Sequence, residues 1–138
     1  GFPGEDEPAF QNSLRAIEDV QFCRLHFFRY SPRPGTAAVR LPGRIKPEVM
    51  DRRRKDIAVV GDKVVDQVRA RQIGRTLHVL LEEPGSAPGS MVGFTGNYLR
   101  VEVQPVSPDQ DPLDAFEGSI VPVRITGMQP EVLTGSIL

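Results

Sequence analysis

An α/β unit followed by an all-β unit is the fold class predicted by three changes of pattern along the 138 residues. A helical stripe leads into the apolar and aromatic run Leu25–Tyr30, a long 3.6-period segment opens at Pro47, and beyond Gly74 the apolar period falls to two. These changes divide the chain into a βαβ remnant at 1–47, a linker helix at 48–72 and a small β-barrel at 73–138.

The front is organised around Leu25-His-Phe-Phe-Arg-Tyr30, whose strand formers run into the turn-rich Ser31-Pro-Arg-Pro-Gly-Thr36. The run predicts a strand buried on both faces in the middle of a parallel sheet, with ligands at its carboxyl end. Gly1-Phe-Pro-Gly-Glu5 reads as a strand end turning sharply into a helix. Asp6 is the expected N-cap, and Glu5 to Glu7 place acids where the helix dipole favours them. Phe10, Leu14, Ile17 and Val20 form one apolar stripe, so a helix across about 6–20 should join two parallel strands by a right-handed crossover.

Ser31–Lys46 reads as a loop carrying Arg33, Arg40, Arg44 and Lys46, which are a solvated face on pattern alone. From Pro47 to about Arg71 a helix is predicted, with Ile57, Val60, Val64 and Val68 on one face. Arg52-Arg-Arg-Lys55 reads as solvated charge with ion pairs at helical spacing, and Gly61 as a bend. Beyond it, runs at 77–81, 90–94, 99–103, 121–125 and 132–138 predict five short antiparallel strands closing an OB-like barrel, with Leu99, Val101 and Val103 inward. The 105–118 stretch, with Asp109, Asp111, Asp114 and Glu117, reads as an acidic surface loop without the calcium-loop spacing.

Charge and composition exclude several chemistries. Residues 1–72 are mildly basic, whereas 73–138 hold 3 Lys/Arg against 8 Asp/Glu, a balance of about −5 that argues against an indiscriminate nucleic-acid clamp there. The one cysteine, Cys23, permits neither an internal disulfide nor an all-cysteine metal site, and reads as a small hydrophobe. His26 and His78 lack ligand partners at metal spacing. No membrane-span run or signal peptide is present, which predicts a cytoplasmic protein. The chain opens without Met inside what reads as a motif, and is expected to be part of a longer polypeptide.

Gly1-Phe-Pro-Gly-Glu5, the helix from Phe10, and Leu25 through Ala38 resemble the end of the radical S-adenosylmethionine domain of the methylthiotransferase family. Gly74-Arg-Thr-Leu-His-Val-Leu-Leu-Glu-Glu83 and Gly93-Phe-Thr-Gly-Asn-Tyr-Leu-Arg-Val101 resemble that family's C-terminal TRAM domain. The βαβ remnant would then be part of a radical SAM, partial TIM-like barrel. Leu25-His26 and Asn97–Val101 look most like the branch acting on N6-threonylcarbamoyladenosine next to the tRNA anticodon. The isopentenyladenosine branch and the ribosomal protein aspartate branch fit less well.

The resemblance implies S-adenosylmethionine and two [4Fe-4S] clusters in the full-length enzyme, with hydrogen abstraction from adenine C2 followed by methylthio insertion. None of the six cluster cysteines is in this chain, so alone it is expected to be inactive and to depend on the remaining domains of the same polypeptide. By analogy, Gly1, Phe2, Glu5, Phe28, Arg29 and Tyr30 would line the cofactor pocket. Arg33, Arg75, Asn97, Tyr98 and Arg100 would contact the tRNA anticodon stem-loop, with an aromatic stacking on a base and cations on phosphates. A stand-alone TRAM-type RNA-binding module and an inactive fragment are the alternatives.

Overall fold

The structure, a computed structural model, describes residues 1–105 and 113–138. It divides into two compact units, Gly1–Val65 and Asp66–Leu138. Asp109 and Asp111 of the expected acidic loop lie outside the described residues.

The first unit contains helix α1 (Glu7–Val20) and most of helix α2 (Pro47–Ala70). Asp6 caps α1 as expected, its Oδ1 accepting from Ala9 N at 2.8 Å, and Gln21 ends the helix at φ 58. Phe10 and Ile17 of the stripe are buried, Leu14 is half-buried and Val20 is exposed. Ala37–Arg40 forms one 3-10 turn within the proline-rich loop.

The strand expected at Leu25–Tyr30 is not formed. The segment belongs to no strand, Phe28 is 90% exposed and Phe27 38%. The reason is the ladder: an extended segment becomes a strand only when a neighbour takes its N–H and C=O groups, and no other described segment pairs with this one. The two-sided burial expected for it fails for the same reason. Leu25 is nevertheless seated, and it accounts for Gly61. A Cβ on Gly61 would lie 2.8 Å from Leu25 Cδ2, so the glycine in α2 admits this side chain.

The second unit is a closed barrel of β1 (Thr76–Pro84), β2 (Met91–Thr95), β3 (Arg100–Gln104), β4 (Ile120–Gln129) and β5 (Val132–Ile137), in the spatial order β1-β2-β3-β5-β4. Val79, Leu81, Val101, Val103, Val123, Ile125 and Leu133 are almost wholly buried and fill it. Leu99, Val101 and Val103 point inward as the period of two predicts. The all-antiparallel expectation is corrected, because β3 and β5 run parallel. Parity demands it: strand directions cannot alternate around a closed ring with an odd number of members. Closure also needs close backbone approach, since a Cβ on Gly93 would meet Leu80 O at 1.9 Å and one on Gly135 would meet Arg124 O at 2.6 Å.

One charged residue of β3 is buried against expectation. Glu102 points away from the barrel interior, yet is only 4% exposed because the Gly85–Ser90 connection folds over it. Its carboxylate accepts from Ser86 N, Ser86 Oγ, Ala87 N and Ser90 Oγ at 2.7–3.1 Å. The Ser86 and Ser90 hydroxyls, with the backbone N–H groups behind them, push its pKa down to about 2 against the opposing effect of burial. A folded pKa below the ordinary 4.5 means that this stabilisation is complete above about pH 4.5 and is lost as pH falls through about 2. The thermal midpoint of the chain should therefore fall across that window more steeply than that of Glu102→Gln. At neutral pH the variant should lose about 1–3 kcal/mol, because the loop's donors lose a charged acceptor. Equal acid sensitivity of the two proteins would refute the latch.

Candidate cofactor and substrate surfaces

Each unit carries one set of candidate residues. In the first, the turn of Gly1–Glu5 closes through Glu5 N to Phe2 O at 3.0 Å, with Gly4 at φ 87. The cause of this local fold is Arg53, one of the run Arg52–Lys55 expected to be solvated. Arg53 is 5% exposed. Its Nη1 donates to Glu5 O at 2.7 Å and Glu5 Oε2 at 2.9 Å, and its Nη2 to Glu7 Oε2 at 3.2 Å. The guanidinium also lies 4.9 Å above the Phe10 ring. Glu7 is held below its usual pKa, first by the Gln11 amide and then by Arg53. Arg52, Arg54 and Lys55 are exposed as expected. The missed signal was available in outline: Arg53 follows Met50 by three and precedes Ile57 by four, which puts it on the helix face that carries the apolar stripe.

Five of the six expected cofactor residues line two clefts, and Phe2 lines neither. Gly1 and Tyr30 line one, together with Pro3, Val39, Arg44, Ile45 and Met50. Gly1, Glu5, Phe28 and Arg29 line another with Phe10 and Arg53. Phe2 packs edge-on against Tyr30 at 5.3 Å, and Arg29 is paired with Asp51 at 3.0 Å. Tyr30 Oη is buried without a hydrogen-bond partner among the described residues, so the first cleft has an unused phenol in an otherwise largely apolar wall. Such a wall fits a nucleoside-like group. It does not fit an iron–sulfur cluster: among the described residues no group of three His, Cys, Asp or Glu is placed to hold a metal ion.

In the barrel, register decides which charges meet. Thr76 pairs with Arg124, and the β2–β3 turn lies beside the start of β1, so Arg75, Asn97, Tyr98 and Arg124 share one end. Glu82, Glu83 and Glu117 lie toward the other, where Gly118 N donates to Leu81 O and Leu81 N to Ser119 O. Tyr98 is 69% exposed and sits at φ 61. Thr95 builds that turn: its carbonyl accepts from Tyr98 N at 2.9 Å, and its Oγ1 accepts from Leu99 N at 3.0 Å and donates to Asn97 Oδ1 at 2.6 Å. Arg100 is half-exposed and ion-paired with Glu83 at 3.3 Å, and Arg75 Nη1 donates to Gln72 Oε1 at 3.4 Å. Arg33 is exposed in the first unit, on the loop before the 3-10 turn.

Two stability outcomes follow from these arrangements. Arg53→Met should cost about 2–3 kcal/mol in urea unfolding, at the low end for breaking a buried pair because both carboxylates keep some solvent. An unchanged midpoint would remove Arg53 from the fold. Tyr98→Gly should stabilise the chain by about 0.5–1 kcal/mol, since glycine adopts positive φ without steric strain. A destabilised Tyr98→Gly would mean that the ring supports the fold.

No protein-family model matches the chain. Among curated proteins it is 36% identical over 141 residues to the ribosomal protein uS12 methylthiotransferase RimO of Synechococcus sp. (strain CC9902). It is 33% identical over 138 residues to the tRNA-2-methylthio-N(6)-dimethylallyladenosine synthase of Erythrobacter litoralis (strain HTCC2594). The enzyme of the latter name from Ehrlichia ruminantium (strain Gardel) is 31% identical over 137 residues. These matches cover 100%, 100% and 99% of this chain but 30%, 29% and 30% of the relatives, so the chain spans about a third of their length. From end to end the chain is similar to the carboxyl-terminal part of these methylthiotransferases, the family that its motifs resemble.

Proposed function

We propose that this chain is the carboxyl-terminal segment of a methylthiotransferase, in which the first unit closes one side of the cofactor pocket and the barrel holds the substrate. The observation that carries the reading is the end-to-end match to enzymes named for methylthio transfer. S-adenosylmethionine and two [4Fe-4S] clusters would supply the radical chemistry, with cluster ligands from the remaining domains of the same polypeptide. Tyr30 Oη would donate to the nucleoside part of the cofactor, and Arg53 would hold Glu5 and the Gly1–Glu5 turn in place. Phe2 would orient Tyr30 through its edge contact. Phe28, 90% exposed in this chain, would be covered by the rest of the protein. Arg29 would keep its pairing with Asp51 at the rim.

For the substrate, the reading favoured here is a ribosomal protein such as uS12, as in the name of the Synechococcus relative. The charge of residues 73–138, about −5, suits a basic polypeptide better than a phosphate backbone. A second reading is a tRNA adenosine, either the N6-threonylcarbamoyladenosine expected from the sequence or the dimethylallyladenosine in the names of other relatives. It draws support from Tyr98, exposed in a left-handed turn near Arg75 and Arg124, the form of a base-stacking platform beside phosphate contacts. In that reading Asn97 and Arg100 complete the surface of the barrel, and Arg33 would be a separate RNA contact on the first unit.

The full-length enzyme, reconstituted with its clusters and S-adenosylmethionine, should add one methylthio group to uS12 and leave tRNA carrying N6-threonylcarbamoyladenosine or dimethylallyladenosine unchanged by mass spectrometry. Modification of tRNA alone would move the assignment to the second reading. In that case Tyr98→Ala should weaken tRNA binding by about 1–3 kcal/mol, the worth of one stacked base. Arg100→Ala should then lower the salt slope by roughly one unit.

A further inference from the structure

The first cleft carries one charged side chain that neither the fold nor the proposed chemistry uses. Arg44 lines it beside Tyr30, and no carboxylate is among its lining residues. Arg44 is exposed, and among the described residues its guanidinium makes a single hydrogen bond, Nη2 to Val39 O at 3.4 Å, and no ion pair. Its backbone, by contrast, is fixed. Gly4 N donates to Gly43 O at 2.9 Å, and a Cβ on Gly43, which sits at φ 76, would lie 3.2 Å from Gly4 N. The residue before Arg44 is thus held on the Gly1–Glu5 turn, and Ile45 after it is half-buried in the same cleft. Arg33 and Arg40 of the same loop line neither of the two clefts, so the solvated reading suits them and does not account for Arg44.

The chemistry of the cleft follows from three parts. Tyr30 Oη, buried without a partner among the described residues, is a neutral donor that remains costly until a ligand supplies an acceptor. Arg44 is a planar cation that matches a carboxylate through two parallel N–H bonds, and the cleft leaves that place to a ligand. Pro3, Val39, Ile45 and Met50 form an apolar wall for an uncharged body. A neutral nucleoside would use the wall and Tyr30 and leave Arg44 idle, whereas a nucleoside with an amino-acid carboxylate uses all three. We infer that Arg44 selects for a carboxylate on a nucleoside bound beside Tyr30, which makes it a specificity-determining residue of this cleft. The inference rests on the proposed reading of the cleft as a nucleoside site. Two nucleosides of that reading carry such a carboxylate, S-adenosylmethionine on its methionyl arm and N6-threonylcarbamoyladenosine on its threonyl arm. Dimethylallyladenosine carries none.

The test is titration calorimetry on the 138-residue chain with two matched pairs of nucleosides. S-adenosylhomocysteine and 5′-methylthioadenosine share a thioether and differ in the amino-acid part. N6-threonylcarbamoyladenosine and dimethylallyladenosine differ in the carboxylate at N6. In one pair the carboxylate-bearing member should bind about fivefold more tightly, the size of a partly exposed charge pair, and that pair names the source as cofactor or substrate. Arg44→Gln, at an exposed position, should abolish the advantage and leave the neutral member unchanged, and raised salt should shrink it. Arg44→Lys should recover only part of it, because an ammonium lacks the planar fork. Tyr30→Phe should weaken both members alike. Equal affinity within both pairs overturns the inference, as does an advantage that survives Arg44→Gln or a failure of all four to bind. The two readings fail separately. Equal binding within each pair that is lost on Tyr30→Phe sinks the role of Arg44 and leaves the cleft as a nucleoside site. Arg44-dependent binding by a chain whose full-length form transfers no methylthio group sustains this inference and sinks the proposed function.

Discussion

Arg53 is the constraint on which the first unit depends. A guanidinium this deeply buried needs partners: Nη1 and Nη2 donate to the carbonyl and carboxylate of Glu5 and to Glu7, the plane lies over Phe10, and Nε alone is buried without a partner among the described residues. One side chain of α2 thereby holds both the turn at Gly1–Glu5 and the first turn of α1. The turn has few contacts of its own beyond the Glu5 to Phe2 bond and the Gly4 N to Gly43 O bond at 2.9 Å. The cleft beside Tyr30 is lined by Gly1 and Pro3 of that turn, so its shape follows from the same ion-pair network.

The barrel obeys a different constraint, closure. Five strands in a ring require one parallel pair, and β3 and β5 supply it. Tight approach at Gly93 and Gly135 follows from the same geometry, because strands that bend into so small a ring bring carbonyls to where a Cβ would stand. Glu102 completes the outside. Its carboxylate gathers the donors of the β1–β2 connection, so a residue read as solvent-facing becomes the anchor of a loop.

Closure also sorts function on the surface. Antiparallel pairing of β1 with β2 and β4 brings Arg75, Arg124 and Tyr98 to one end and leaves Glu82, Glu83 and Glu117 toward the other. The net charge of residues 73–138 hides this division. That is why the substrate branch is a question for binding and product analysis, not for family membership.

The sequence by itself determined what periodicity and capping carry. The helices at 7–20 and 47–70, the Asp6 cap, the five β-runs and the inward set Leu99, Val101 and Val103 are local facts, legible because burial repeats with the period of the backbone. The motif resemblance carried the family. Tertiary structure decided what depends on partners distant in sequence. Leu25–Tyr30 has strand-forming residues but no ladder to join, so its β propensity does not become a strand. Arg53 lies 46 residues beyond Glu7 and Glu102 lies 16 beyond Ser86. No local pattern distinguishes Glu102 from the solvated charges beside it, and Arg53 is marked only by its place on the apolar face of α2. Only when the fold brings those donors and acceptors together does burying a charge there become favourable.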